Sequence, residues 1–281
     1  MAGVCVRIAD EAGACYGVER ALDLVVRATE AAQGPVYTLG PLIHNPRVVA
    51  DLARRGVRVA DVSEDASGAT LLLRTHGVSP DEELRARSCC AEVLDATCPF
   101  VKRVHAAAGR LVREGRQVVV VGEPGHPEVM GTCGHAPGAI VIPTADAARE
   151  AELGERVGVV VQTTLARATL DAVLGALRDR VDDLEVVDTI CDATAGHQAS
   201  AARLARESDV MVVVGGRNSA NTTHLAQICA ELCPTHHIEG ELELEASWFE
   251  SATTVGITAG ASTPAAHIEA VRAAICEMVG A

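Results

Sequence analysis

Three cysteines recur in one local setting along this chain, each at the end of a β-like stretch and just ahead of an amphipathic helical pattern. The first lies in Gly13-Ala14-Cys15-Tyr16-Gly17-Val18-Glu19-Arg20 and the second in Asp95-Ala96-Thr97-Cys98-Pro99-Phe100-Val101-Lys102. The third lies in Asp188-Thr189-Ile190-Cys191-Asp192-Ala193-Thr194, and the intervals between the cysteines are 83 and 93 residues. Self-similarity at a fixed period constrains a fold more than any single motif does. A free cysteine taken alone is most often a small buried hydrophobe. Three in matched positions point instead to ligands.

Two further elements follow each cysteine. One is an apolar strand ending in glycine, then a loop with a polar group four residues on. Its copies are Tyr37-Thr38-Leu39-Gly40 to His44, Val119-Val120-Val121-Gly122 to His126 and Val212-Val213-Val214-Gly215 to Ser219, with glycines 82 and 93 residues apart. The other is a strand running into a Thr- or Gly-rich loop and then a helix: Leu71 to Pro80, Val159 to Thr164, and Val255 to Ser262. Each repeat therefore predicts a small β-α-β-α-β-α unit. Continuous Val and Leu runs between helices predict parallel strands buried on both faces. In such sheets ligands gather beyond the carboxyl ends of the strands. The domains expected are 16–97, 98–190 and 191–281, the last completed by the N-terminal segment 1–15.

Composition narrows the function. The net charge is −14 and Lys102 is the sole lysine, which excludes general nucleic-acid or anionic-membrane binding. No apolar run approaches the ~20 residues needed to cross a bilayer. Charged residues interrupt the first twenty positions, unlike a signal peptide, so a cytoplasmic protein is expected. The ten cysteines include no CxxC pair, which leaves ribbon-type zinc sites and thioredoxin chemistry unsupported. Any metal site must gather cysteines distant in sequence. Soft thiolates suit iron–sulfur clusters and zinc alike. A closed zinc site of three cysteines would need a fourth ligand, such as His126. Gly215-Gly216-Arg217-Asn218-Ser219 lacks the Gly-Lys-Ser/Thr ending of a nucleotide phosphate loop. No NAD or FAD fingerprint occurs, so electrons for a redox reaction would come from a partner protein.

An ordered set of motifs runs from Ala9 to about Ala274. It comprises Gly13-x-Cys15-x-Gly17-Val18-x-Arg20, Ile43-His44-Asn45, Thr75-His76-Gly77-Val78, Asp95-Ala96-Thr97-Cys98-Pro99 and Gly125-His126-Pro127-Glu128-Val129. It continues with Gln162-Thr163-Thr164-Leu165, Asn218-Ser219-x-Asn221 and Thr258-Ala259-Gly260-Ala261-Ser262. On these residues the chain resembles the 4-hydroxy-3-methylbut-2-enyl diphosphate reductases, the IspH/LytB family of the non-mevalonate isoprenoid pathway. The resemblance implies three small α/β domains in a pseudo-threefold cloverleaf around a [4Fe–4S] cluster held by Cys15, Cys98 and Cys191. It implies removal of the allylic hydroxyl of the substrate with two electrons and two protons, giving isopentenyl and dimethylallyl diphosphate. Ferredoxin or flavodoxin is the electron donor that family analogy suggests.

Site roles follow from the resemblance residue by residue. Glu128 matches the family's proton-delivering acid, with His126 beside it. Thr163 matches the threonine that orients the substrate hydroxyl, and Thr164 adjoins it. His44, His76, His126, Ser219, Asn221 and Ser262 match groups lining the diphosphate site. Apart from the resemblance, Glu128 is suited to favour a helix first turn, and the threonines to start one. Three positions depart from the family pattern: Ala220 stands where a second serine is usual, Ala14 replaces an aromatic residue, and Cys133 replaces a hydrophobic one. One lost hydroxyl donor costs ~0.5–1.5 kcal/mol, enough to weaken diphosphate binding. A divergent copy acting on a related allylic substrate, and a non-catalytic iron–sulfur redox sensor, are the competing readings.

Overall fold

A computed structural model describes residues 4–280; Met1–Gly3 and Ala281, at the ends of the segments assigned to the third expected domain, lie outside it. Its elements in chain order begin with β1 (Cys5–Ile8), α1 (Tyr16–Ala31), β2 (Val36–Leu39), α2 (Pro46–Arg54), β3 (Val57–Ala60), β4 (Thr70–Leu73), α3 (Pro80–Cys89) and β5 (Glu92–Asp95). There follow α4 (Pro99–Arg113), β6 (Gln117–Val121), α5 (Pro127–Gly134), β7 (Ile140–Ile142), α6 (Ala145–Glu150), β8 (Arg156–Val161), α7 (Arg167–Arg178) and β9 (Asp183–Val186). The last are α8 (Asp192–Ala205), β10 (Val210–Val214), α9 (Ala220–Ala230), β11 (Thr235–Ile238), β12 (Thr254–Ala259) and α10 (Ala265–Val279).

These strands form three four-stranded parallel sheets, ordered β5-β4-β2-β3, β9-β8-β6-β7 and β1-β12-β10-β11. The order is the same in all three. A strand leading to a cysteine pairs with the strand before the Thr- or Gly-rich loop, and that strand pairs with the one ending in glycine. The sequence predicted three strands per repeat, and the structure adds a fourth at one edge of each sheet: β3, β7 or β11. These edge strands have only three or four residues, and Arg58, His236 and His237 interrupt their apolar pattern, so periodicity does not announce them. The chain divides into two compact units. One holds the β1-β12-β10-β11 sheet and takes in Met1–Val18, His44–Asp51 and Asp192–Ala281; the other holds the remaining two sheets within Glu19–Ile43 and Leu52–Cys191.

The central strands are apolar on both faces because helices cover both. Val118–Val121, Val157–Val161 and Val210–Val214 are buried throughout. Helix α4 shows how one covering element is specified. Pro99 fits its first turn, where the missing N–H costs nothing. Val101, Val104, His105, Ala108 and Leu111 recur at helical spacing and are buried. Gly115, at φ 72°, ends it in the left-handed conformation. Among the described residues, no helix is long and apolar enough to cross a membrane.

Close approach between α4 and β8 depends on Gly158. A Cβ there would lie 2.7 Å from Leu111 Cδ2 and 2.8 Å from its Cδ1, and Leu111 is fully buried with nowhere to move. Gly158→Ala should therefore destabilise the fold by about 1–3 kcal/mol through overpacking. The measurement is urea unfolding: the midpoint should fall with the slope unchanged.

Candidate active site

The loops after β6 and β8 meet at a buried carboxyl group. Gly122 follows β6, and a Cβ on it would come within 2.8 Å of both Gln162 Oε1 and Val129 Cγ2. This close approach lets Glu123 N–H donate to Gln162 Oε1 at 2.9 Å, while Gln162 Nε2 donates to Thr164 Oγ1 at 3.0 Å. The fixed loop delivers His126 to the N-cap of α5, where its Nδ1 accepts from Glu128 N–H at 3.2 Å. An accepting Nδ1 leaves the proton of the neutral ring on Nε2. The rings of His126 and His76 stand edge to face with centroids 5.6 Å apart.

Glu128, on the first turn of α5, is 2% exposed. Its two oxygens accept from one residue, Thr163: Oε1 from the backbone N–H at 2.6 Å and Oε2 from the hydroxyl at 2.8 Å. Burial pushes its pKa from 4.5 up to about 7, with Thr163's two bonds pulling it partway back. The acid is thus poised to hold and release a proton near neutrality. The Thr163 hydroxyl can donate to the carboxylate or accept from the acid, so the pair can relay that proton. The threonines do not begin a helix; α7 starts only at Arg167.

Each repeated cysteine stands immediately before a helix, and its backbone N–H is held in the same way in all three. Cys15 N–H donates to Ala261 O at 3.1 Å, Cys98 N–H to Thr75 O at 3.0 Å and Cys191 N–H to Thr163 O at 3.1 Å. The accepting carbonyl always belongs to the loop after the neighbouring strand. The three cysteines are partly exposed, none of them in a disulfide, and each stands at a helix N-terminus, where a soft sulfur donor suits ligation of a metal group. Around Cys98 the approach is clamped further. Asp95 Oδ1 accepts from Thr97 N–H at 2.8 Å, Asp95 Oδ2 pairs with Lys102 at 2.6 Å, and Arg20 donates to the carbonyls of Asp95 and Thr97. Asp188 repeats part of this before Cys191, accepting from Ile190 N–H at 3.2 Å and pairing with Arg167 at 2.6 Å.

Polar groups also converge within the unit that holds β10 and β12. Asn45 Oδ1 caps α2 by accepting from Arg47 and Val48 N–H, and its Nδ2 donates to Ser262 O at 2.9 Å. Ser262 Oγ in turn donates to His44 O at 3.2 Å. Ser219 caps α9 by accepting from Thr222 N–H. Asn221, on the first turn of that helix, is 4% exposed, and neither its Nδ2 nor its Oδ1 has a hydrogen-bond partner among the described residues. A buried amide left with both ends unsatisfied is costly unless a ligand completes it. Donors at a helix N-terminus fit an anion.

The family model of LytB protein matches residues 6–276. The chain belongs to the LytB family. It is 45% identical over 276 residues to a 4-hydroxy-3-methylbut-2-enyl diphosphate reductase of Aquifex aeolicus (strain VF5), covering 96% of each chain. It is 45% identical over 268 residues to the enzyme so named in Anaeromyxobacter sp. (strain Fw109-5), covering 95% of each. A solved structure described as (E)-4-hydroxy-3-methyl-but-2-enyl diphosphate reductase, the terminal enzyme of the non-mevalonate pathway, aligns with a TM-score of 0.73 at 44% identity, covering 98% of this chain and 99% of that one. The E-1-hydroxy-2-methyl-but-2-enyl-4-diphosphate reductase from Plasmodium falciparum aligns with a TM-score of 0.90 at 24% identity, covering 95% and 86%, and supports the LytB fold alone.

The departures from the family pattern have plain local settings. Ala220 opens α9 as a buried methyl group with no donor to offer. Cys133 packs beside the core under α4, and burial raises its thiol pKa, so it behaves as a hydrophobe. Ala14 is partly buried, and nothing in the structure explains the loss of an aromatic ring there. Asn45, Gln162 and Arg20 sit inside recognised motifs, yet their positioning roles escaped the sequence reading. Each acts through backbone groups distant in sequence.

The buried acid predicts a pH dependence of stability. Below about pH 4.5, Glu128 is protonated whether the chain is folded or unfolded. Between 4.5 and about 7 the unfolded chain releases that proton while the folded protein keeps it, so stability falls as pH rises through this window. Glu128→Gln should remove the fall, leaving the variant up to about 3 kcal/mol more stable relative to wild type at pH 8 than at pH 4. Urea titrations across this range check it.

Proposed function

We propose that the chain reduces 4-hydroxy-3-methylbut-2-enyl diphosphate: two electrons and two protons remove the allylic hydroxyl as water and leave isopentenyl and dimethylallyl diphosphate. Relatives of that name along nearly the whole chain support this reading. The observation that carries the chemistry is the buried Glu128 held by Thr163, an acid poised near pH 7 and hydrogen-bonded to a hydroxyl.

In this proposal Cys15, Cys98 and Cys191 hold one [4Fe–4S] cluster through three thiolates. That group, when bound, supplies the electrons that break the allylic C–O bond. Glu128 gives its proton to the departing hydroxyl, and Thr163 orients that hydroxyl, with Thr164 steadied by Gln162. His126, carrying its proton on Nε2, donates toward the substrate, as do His76 and His44. Asn221, Ser219 and Ser262 bind the diphosphate, where the unsatisfied amide of Asn221 supports the assignment. Electrons come from a ferredoxin or flavodoxin in the cytoplasm. A redox sensor would need the thiolates but has no use for a buried acid paired with a hydroxyl, which favours the reductase reading.

The test starts with anaerobic purification and assay of iron, sulfide, zinc and oxidation of reduced dye by substrate. Iron and sulfide near four per chain with turnover is the expected result. Zinc alone after anaerobic reconstitution would overturn it. Glu128→Gln should keep the cluster and lose about 10²- to 10⁴-fold in turnover. Wild-type turnover should fall as pH rises past about 7, since the acid must start protonated. Asn221→Ala should raise KM about 5- to 150-fold, the equivalent of losing about 1–3 kcal/mol of hydrogen bonding to a charged group.

A further inference from the structure

Helix α4 starts at Cys98 and carries Lys102, Arg103, Arg110 and Arg113 but no acidic residue over its fifteen positions. In a chain of net charge −14 that concentration of cations is local, and it includes the sole lysine. The helical period decides where the cations point. The apolar stripe of Val101, Val104, Ala108 and Leu111 faces inward, which sends all four cations to the opposite side. Between them lie the small residues Ala106 and Gly109. The outer face is thus a flat cationic strip running back from the Cys98 junction.

Two of the four cations have partners: Lys102 holds Asp95, and Arg110 holds Glu114 and Glu185. Arg103 and Arg113 are exposed and have no carboxylate partner among the described residues. Arg103 lies over the Phe100 ring at 5.0 Å, which leaves its guanidinium splayed along the surface. A cavity of about 560 Å³ opens beside the strip, lined by Lys102, Ala106, Gly109 and Arg113 from α4 and by His135 opposite, and reaching Asp95 and Thr97 just before Cys98. Its carboxylates are engaged, Asp95 by Lys102 and Glu83 by Arg87 at 2.7 Å. A surface of free cations, small side chains and an adjoining recess suits an acidic protein that must approach closely. Unpaired surface cations steer such encounters more than they strengthen them.

We propose that the outer face of α4, centred on Arg103 and Arg113, is the docking surface for an acidic ferredoxin. The proposal rests on the reductase reading and assigns that reaction's electron entry to the Cys98 end of the molecule. One reduced [2Fe–2S] ferredoxin gives up one electron and leaves oxidised, so the strip serves two successive dockings per substrate reduced.

The experiment uses the cluster-loaded full chain and a reduced acidic [2Fe–2S] ferredoxin. Arg103→Glu/Arg113→Glu is compared with Arg27→Glu/Arg178→Glu, an equal charge change on exposed residues elsewhere. The strip variant should lose about tenfold or more in ferredoxin-driven kcat/KM at low ionic strength, with a flattened salt dependence. The control variant should keep most of it. With reduced methyl viologen as donor, both variants should match wild type, which also shows that they are folded. Direct ferredoxin binding, followed by biolayer interferometry, should weaken in the strip variant alone. Equal binding and equal ferredoxin-driven rates in the two variants would overturn the docking assignment. Absence of dye-driven turnover in wild type would overturn the reductase reading instead, and binding would still judge the surface.

Discussion

One backbone hydrogen bond, made three times, organises the chemistry of this molecule. In each sheet a cysteine's N–H donates to a carbonyl in the loop leaving the adjacent parallel strand. A parallel ladder places the carboxyl ends of neighbouring strands side by side, and this bond joins the segments that leave them. The cysteine is then presented at the start of a helix. The same bond ties each cysteine to a loop that carries polar groups: Thr75 beside His76, Thr163 itself, and Ala261 beside Ser262. Within each sheet, then, the cysteine and a polar loop are positioned together.

Around that framework the protein spends polar contacts on aim. Glu128 is costly to bury, and Thr163 offsets only part of the penalty, which is why its proton affinity lies near neutrality. Asn221 has both ends of its buried amide unsatisfied among the described residues, a local cost to stability. Two histidine pairings are packing contacts. His105 stacks on His135 with centroids 4.1 Å apart and is held by burial down to about pKa 4, while His236 stacks on Trp248. His126 differs in having its ring nitrogen fixed by the backbone N–H of Glu128.

Much of this was legible in order along the chain. Valine runs bounded by glycine mark strands buried on both faces, and the cysteine interval reveals the repeat. The edge strands were not legible, because three or four residues with polar interruptions carry too little period. Nor were the roles of Asn45, Gln162 and Arg20, since a side chain that holds a distant backbone leaves no mark in local spacing. Thr163 and Thr164 illustrate a local rule overridden: two threonines before an apolar run suggest a helix start, yet both lie in a loop, Thr163 bonded to the Glu128 carboxylate and Thr164 to Gln162.

The sequence by itself determined the element types, the threefold recurrence and the identity of the donor groups, because these depend on side-chain chemistry and on periods of two and 3.6 residues. The tertiary structure alone decided which groups act together. Thr163 lies 35 residues from Glu128, and only the packing of β6 beside β8 brings both of its donors onto one carboxylate. That packing also removed the acid from water, and desolvation, which no sequence pattern encodes, raised the pKa of Glu128 to about 7.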